Sequence, residues 1–519
     1  MINLGKYCIL LAGFICSIYA ADIDSSSIIF NDTKVHAYEL NFYYSDWQDS
    51  LVYYKNLDEQ YIPARLVYRI SSTDSIVLDS IGVRYKGNSS YTFAAKSVKK
   101  PFKFSFDEYK DQTFYGFKKL NFSNGAKDPS LMREKISYDI IQKYMKAPRA
   151  AFATISIEGK LIGLYTQVEQ VDKNFLKRNF QDKDGNLYKS SDDGATLLYK
   201  GSEAAKYSAE YELKTNEKTD DWKDLINLIE KLNDTADGKS TKAISDCLKL
   251  DNICRYLAFN MVFSNFDSYT GSGRNFYLYN DPTSKKFVLI PWDLNLAFGA
   301  FANTWNVVTM DVVSISNLAQ RPLNKRVVEN DSLRQVYLGY IRNMIETWAS
   351  TDTIAKLAEK YKLLIDEYVQ QDSNKLHTYN DFLKNIDSDV SVVDNMSRVT
   401  IPGLKSFSKN RNANLLTQLD QKIAVIFFKG KNTSALPVSI VKTSNNSLYF
   451  SYSLPQQVSD VKMDIIDING RVIKTVREEN IAAGIHDCII SSKDLRSGLY
   501  LLKITGGKHF KTATSFMVF

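Results

Sequence analysis

One stretch restricts the fold more than any other: Asn265–Gly299, NFDSYTGSGRNFYLYNDPTSKKFVLIPWDLNLAFG. Phe276–Tyr279 and Lys286–Ile290 are runs of aromatic and branched residues, the composition of strands. Asn280-Asp281-Pro282-Thr283-Ser284 between them is turn chemistry. Two such strands pair as an antiparallel ribbon, with Tyr279 facing Lys286 and Asn275 near Ile290. The open end of that ribbon gathers Asp267, Asn275 and Asp293. A carboxylate, an amide and a carboxylate in one place offer the oxygen ligands that Mg2+ and Mn2+ take.

Protein kinases use the same order: an Asp and an Asn before one strand, and a metal-binding Asp just after the next. By that logic Asp267 is the base, and Asn275 and Asp293 are the metal ligands. The interval from Asp267 to Asn275 is longer than the kinase D-x-x-x-x-N, and neither an HRD nor a DFG tripeptide is present.

Other chemistries have less support. The four histidines, His36, His377, His486 and His509, lie far from Asp267 in sequence, and there is no HExxH. That argues against Ser–His–Asp and zinc hydrolysis. No isolated acid pair marks a glycosidase. Net charge is +7, but acids and bases are interspersed and no Lys/Arg block marks a nucleic-acid arm. We therefore expect no nucleic-acid partner. Residues 1–20 read as a secretory signal: Lys6, an apolar run Ile9–Ile18 too short to span a bilayer, then small residues at Ala20-Ala21. No later segment has transmembrane length. Cys247, Cys254 and Cys488 would remain after cleavage, an odd number that argues against a disulfide scaffold, although a Cys247–Cys254 pair across a helix junction stays open.

The first part of the chain reads as strands. His36–Tyr43 and Arg65–Ile70 alternate, with a short helix around Trp47 and Leu51. IGVRYKGNSS at 81–90 is a strand running into Gly87-Asn88-Ser89, where backbone N–H groups can meet phosphate, although taken alone those residues fit a plain turn better. In KKPFKFSF, Phe102, Phe104 and Phe106 share one face and Lys103 the other. Lys103 is the candidate phosphate lysine, Lys100 its rival, and a solvated strand lysine the plain alternative. Asp128-Pro129 opens a helix with Glu134 in its first turns. Glu134 either pairs with the strand lysine or serves the helix dipole.

Ala151–Ile157 and Lys160–Val168 form a strand pair around Glu158-Gly159, followed by Glu169-Gln170-Val171-Asp172 and a helix through Phe180. Short strands follow at Leu187–Lys189 and Leu197–Lys200. Helices follow around Trp222–Leu232, Leu248–Met261, Leu333–Ser350, Thr353–Val369 and Tyr379–Ile386, the long pair capped at Asp331 and Asp352. From Pro437 onward, short strands and turns, including the hairpin signal Asp467-Ile468-Asn469-Gly470, read as a small β-sandwich.

Asn265-Phe266-Asp267, Arg274–Tyr279, Ile290-Pro291-Trp292-Asp293 and Phe298-Gly299 together resemble the signature of the CotH (spore-coat protein H) family of atypical, secreted protein kinases. The glycine loop, the Val168–Asp172 stretch and the Gly403-Leu404 segment with Arg411 resemble further family elements in the same order, so the likeness covers about 35–428. The family often has a second Asp two residues after the Trp-Asp acid, where this chain has Asn295. The tail elements DINGRV, AAGIH and LRSGLYLLKI resemble the type A sorting domain of type IX secretion; a sugar-binding or spacer sandwich is the plain alternative.

The resemblance implies an α+β chain: a two-lobed, atypical protein-kinase-like domain at 22–428, a linker at 429–436 and a sorting domain at 437–519. It implies a secreted or cell-surface enzyme that moves the γ-phosphate of ATP to Ser or Thr hydroxyls of surface proteins with Mg2+ or Mn2+. Asp267 would deprotonate the acceptor, and Asn275 and Asp293 would hold metal. Lys103, with Gly87, Asn88 and Ser89, would meet the phosphates, Glu134 would pair with the lysine, and backbone near Glu169 would meet the base. The type IX machinery is the second expected partner. The rival reading is a surface structural or adhesive protein that keeps the scaffold without the chemistry.

Overall fold

The computed structural model describes residues 25–57, 59–234, 242–302, 305–315, 317–394, 397–428, 439–444, 447–454, 456–467, 470–496, 498–507 and 510–518. The expected signal (1–20) and linker (429–436) lie outside the described residues. The architecture is α+β, as the sequence predicts.

Seven strands form a closed barrel: β1 (His36–Phe42), β2 (Ile62–Arg69), β3 (Ser75–Tyr85), β4 (Phe102–Ser105), β5 (Lys119–Ser123), β6 (Ala150–Ile157) and β7 (Lys160–Glu169). Their order is β1-β2-β3-β4-β5-β7-β6, and a parallel pairing of β1 with β6 (His36 opposite Ala153) closes the ring. The alternation seen in sequence turns Tyr38, Leu40, Leu66, Val83, Phe104 and Phe122 into one core, where the rings of Phe104 and Phe122 lie 4.4 Å apart. Closure leaves no strand edge. At the β6–β7 turn, Glu158 (φ 51°) and Gly159 (φ 76°) are both left-handed, the geometry that matches strand twist in a two-residue hairpin.

A second sheet, ordered β11-β10-β8-β9, contains β8 (Leu187–Ser190), β9 (Tyr211–Leu213), β10 (Phe276–Asp281) and β11 (Lys286–Pro291). It shares a core with the helices Lys223–Asn233, Leu250–Val262, Asp331–Glu346 and Thr351–Gln371. A buried ion pair, Lys99 Nζ to Asp372 at 2.6 Å, joins the chain entering β4 to the end of the last of these helices. Asp372 also accepts from the N–H of Leu164 in β7. Beyond them come the short hairpin of β12 (Val390–Asp394) and β13 (Ser397–Ile401) and the helix Leu404–Phe428.

At the C-terminus, β14 (Ser439–Ser444), β15 (Ser447–Leu454) and β18 (Gly484–Ser491) form one sheet. β16 (Val458–Asp467), β17 (Val472–Ile481), β19 (Gly498–Gly506) and β20 (Phe510–Val518) form the other. Leu448, Phe450, Met463, Ile465, Ile490 and Leu502 from both sheets make one core, so the tail is the expected β-sandwich.

Several local expectations change. The hairpin register is two residues tighter: Tyr279 faces Val288, Asp281 faces Lys286 and Phe276 faces Pro291. Asn280 and Asp281 pair as strand because Asp281 ties the turn, accepting from Ser284, from the Thr283 N–H and from Lys249. The helix expected at Asp128-Pro129 begins at Arg133; Asp128 caps it from outside, accepting from the Arg133 N–H at 2.8 Å, across a turn in which Leu131 is left-handed. Leu197–Lys200 is irregular backbone, with Leu197 left-handed and its carbonyl taken by Asn233. The two long helices are capped one or two residues earlier than expected, by Asn330 and Ser350. Cys247 and Cys254 are buried free thiols, so the open disulfide alternative fails.

Candidate active site

The helix Leu250–Val262 delivers the candidate base. Its last carbonyls lack intrahelical partners, and the buried guanidinium of Arg411 supplies donors: Nη2 and Nε reach Met261 O at 2.9 and 3.3 Å, and Nη1 reaches Val308 O and Met310 O. The chain then turns sharply through Ser264 (φ 43°). Asn265 donates to Asn260 Oδ1 at 2.9 Å, and Phe266 packs edge-on to Trp305. Gly271 is required here, because a Cβ would lie 2.0 Å from the Phe266 carbonyl oxygen and 2.6 Å from the Trp305 ring. Arg321 Nη2 holds the Gly271 carbonyl at 2.5 Å, and Asn317 Nδ2 holds that of Thr270 at 3.0 Å.

This loop and the hairpin bring Asp267, Asn275 and Asp293 together. Asn275 Nδ2 donates to the Asp267 backbone oxygen (2.9 Å) and carboxylate (3.0 Å), and Ser272 Oγ donates to the same carboxylate (2.9 Å). The Trp292 N–H donates to Asn275 O at 3.1 Å, which sets Asp293 directly after the paired strands. The Asp293 N–H donates to Tyr138 Oη at 3.0 Å, docking the hairpin end on the helix Arg133–Ile141. Asn275 (φ 59°) and Asp293 (φ 49°) are both left-handed. Such backbone costs on the order of 1–3 kcal/mol per residue and clusters where function demands a geometry. Burial pushes up the pKa of both Asp267 and Asp293. Asp293 is further raised by Asp267 and held down by Lys86.

Glu134 stands one helical turn from Tyr138. It is 4% exposed, and its Oε2 has no hydrogen-bond partner. Burial, then Asp293, drive its carboxyl from the ordinary 4.5 to about 8, against the opposing pull of Lys86. It lines a small pocket of about 20 Å3 with polar groups of Ser123, Lys127, Asp128, Thr166 and Asn295 beside apolar Leu131 and Leu164, room for about one water. Lys86 follows β3, with its ammonium 5.6 Å from the Trp292 ring centre. Burial depresses its pKa, and Asp293 and Glu134 pull it back up.

The other candidates have contacts of their own. Lys103 on β4 pairs across to Arg84 and Asn121, and burial plus Arg84, Lys119, Lys86 and Lys214 depress its pKa well below that of a free lysine. Lys100 donates to Ala94 O at 2.6 Å and lies over the Tyr91 ring. Of the loop, Gly87 is left-handed (φ 73°), Asn88 donates to Asp192, and Ser89 begins a short helix, Ser89–Phe93. Glu169 is buried and clamped between Arg149 and Arg178, with its own N–H given to Arg149 O. The cation acting on Glu134 is therefore Lys86, one residue before the glycine loop, which the sequence reading passed over in favour of Lys103 and Lys100. Arg321, Asn317 and Tyr138 were also missed; nothing local distinguishes them from ordinary polar residues.

Oxygen donors dominate the cluster. Among the described residues no group of three His, Cys, Asp or Glu forms a metal site. The cluster itself offers two carboxylates and an amide, from Asp267, Asp293 and Asn275. That set fits a hard divalent cation. No helix among the described residues is long and apolar enough to cross a membrane.

Comparison with known proteins agrees with the layout. The family model described as CotH kinase protein matches residues 83–415, from the end of β3 into the helix Leu404–Phe428. The model described as secretion system C-terminal sorting domain matches 444–518, the sandwich. The inner spore coat protein H of Bacillus subtilis (strain 168) is 27% identical over 304 residues, which covers 56% of this chain and 80% of that protein.

Proposed function

The chain belongs to the CotH kinase protein family and carries a secretion sorting domain, and from that premise we propose that it is an exported, cell-surface protein kinase. It moves the γ-phosphoryl group of ATP to Ser or Thr hydroxyls of surface proteins, and the type IX secretion machinery handles its sandwich. The barrel serves as the nucleotide-side lobe and the helical unit as the acceptor-side lobe of a two-lobed enzyme. The observation that carries the reading is the convergence of Asp267, Asn275 and Asp293, with Asn275 and Asp293 both in left-handed backbone.

Phosphoryl transfer asks mainly for positioning and charge neutralisation. Asp267, held by Ser272 and Asn275, orients the acceptor hydroxyl and takes its proton; burial, which raises its pKa, makes it a better base. Asn275 and Asp293 hold Mg2+ or Mn2+, which when bound neutralises charge on the triphosphate. Lys86 stands in the fields of Asp293 and Glu134 and meets the phosphates from the barrel side. Lys103, whose pKa is depressed by burial and then by Arg84, Lys119, Lys86 and Lys214, gains a compensating negative charge when a polyanion enters. The backbone N–H groups of Gly87, Asn88 and Ser89 meet the phosphates as well, and backbone near Glu169 meets the base.

The test is labelled ATP with Mn2+ or Mg2+ and the purified chain. Wild type should label itself or a generic acceptor, Asp267→Asn should label neither yet still bind nucleotide, and Asp293→Ala should do neither. A wild type that neither labels nor binds ATP overturns the reading. One observation favours the rival, a non-catalytic surface protein on the same scaffold: Asn295 faces the Glu134 pocket where relatives often carry a second Asp. Absence of any nucleotide-dependent rise in melting temperature would decide for it.

A further inference from the structure

We propose that a basic groove at the far end of the catalytic hairpin binds an acidic segment of a partner protein. The groove has a volume of about 410 Å3, and its rim carries Lys143, Lys146, Lys249 and Arg255. A second depression of about 230 Å3 shares Lys249, Asp251 and Asn252 with it and adds Lys286. The two form one trough lined by five cations.

Only two of those cations are matched. Arg255 is held by Asp251 at 2.8 Å and by Tyr340 Oη, and Lys249 reaches Asp281 at 2.9 Å. No carboxylate among the described residues pairs with Lys143, Lys146 or Lys286. Lys143 and Lys146 are exposed, and Lys143 is braced over the Trp348 ring at 4.8 Å. Like charges around a concave surface raise the local potential and draw in an opposite charge. Cations spread along the trough, from Lys143 and Lys146 on one side to Lys249 and Lys286 on the other, suit a segment bearing several Asp or Glu side chains.

Its position adds meaning. Lys249 precedes the helix Leu250–Val262, whose other end delivers Asp267. Lys286 begins β11, whose other end delivers Asp293. Helix and strand start together, since the Lys249 N–H donates to Phe287 O at 3.0 Å. Thirteen helical residues span about 20 Å, so the trough and the candidate base lie on one rigid body roughly 20 Å apart. An acidic segment seated there leaves the rest of its protein within reach of the site. Binding itself does not depend on the phosphotransfer reading.

The experiment is fluorescence anisotropy of the full chain with labelled octa-glutamate, with octa-glutamine as the neutral probe and an eight-residue oligonucleotide as competitor. Wild type should bind octa-glutamate and not octa-glutamine. Lys143→Glu/Lys146→Glu/Lys286→Glu should weaken that binding at least tenfold. Lys110→Glu/Lys160→Glu/Lys218→Glu, the same charge change on exposed lysines elsewhere, should leave it unchanged. No binding by wild type, equal weakening in both triple variants, or stronger binding of the oligonucleotide than of the peptide overturns the proposal. Loss of kinase activity with peptide binding intact would instead count against the phosphotransfer reading alone.

Discussion

The side-chain amide of Asn275 donates to both the backbone oxygen and the carboxylate of Asp267, at 2.9 and 3.0 Å. One residue thereby sets the orientation of the candidate base while its own oxygen stays available on the other side. The left-handed backbone of Asn275 aims the amide that way, and Asn tolerates this region better than most side chains.

Substitution can separate the two contributions. Asn275→Gly keeps the left-handed backbone at no steric cost and removes the amide. It should lose metal-dependent nucleotide binding while melting within a few degrees of wild type. Asn275→Ala adds backbone strain and should lose about 1–3 kcal/mol of stability as well. Denaturant unfolding and thermal shift with ATP and Mn2+ read both effects. Retained nucleotide binding in Asn275→Gly would remove Asn275 from the site.

Lys86 and Lys103 can be told apart by the same assay. At a hundredfold excess over Kd, a ligand that binds only the folded state stabilises it by about 2.7 kcal/mol. Lys86→Met should abolish that gain, because Lys86 is the cation acting on Glu134 and Asp293. Lys103→Met should weaken it without abolishing it. The reverse pattern would return the phosphate role to Lys103.

Glu134 predicts a pH dependence of stability. Its carboxyl releases a proton near 4.5 when unfolded and near 8 when folded. Between those values the folded chain holds a proton that the unfolded chain has lost, so stability falls as pH rises across that window, and the effect vanishes below it. Wild type should lose roughly 1–4 kcal/mol more than Glu134→Gln between pH 5 and pH 8. Parallel urea-unfolding curves for the two proteins at every pH would contradict the assignment.

The Lys99–Asp372 pair should be sensitive to removal of one partner. Both side chains are fully buried, and Asp372 also accepts from Leu164. Lys99→Met leaves a buried carboxylate without its cation and should cost about 3–5 kcal/mol. Lys99→Met/Asp372→Asn should recover part of that loss, measured by chemical denaturation. Equal stability of the two variants would mean the pair is not coupled.

Much of the chain was legible in its residues, for a local reason. Period-two alternation over His36–Phe42 and the Phe102, Phe104, Phe106 face defines strands whatever they later pair with, and Glu158-Gly159 between two such runs is an acceptable hairpin turn. Asp267, Asn275 and Asp293 could be grouped because a single hairpin joins them. The errors were also local: pairing through Asn280-Asp281 and the delayed helix after Asp128 depend on side chains that reach the backbone from several residues away.

Sequence alone determined that this is an α+β chain with a sandwich tail and that two carboxylates and an amide meet at one ribbon end, because adjacent strands leave the ends of a hairpin nowhere else to go. Only the tertiary structure decided that β1 closes a barrel on β6, that Lys86 rather than Lys103 or Lys100 stands in the field of Glu134, that Glu169 is locked between two arginines, and that Arg321, Asn317 and Arg411 hold the loop of Asp267. Those contacts join residues far apart along the chain. Which lysine meets which carboxylate follows from how helix Arg133–Ile141 docks against the barrel and the hairpin, and no periodicity in the sequence encodes that docking.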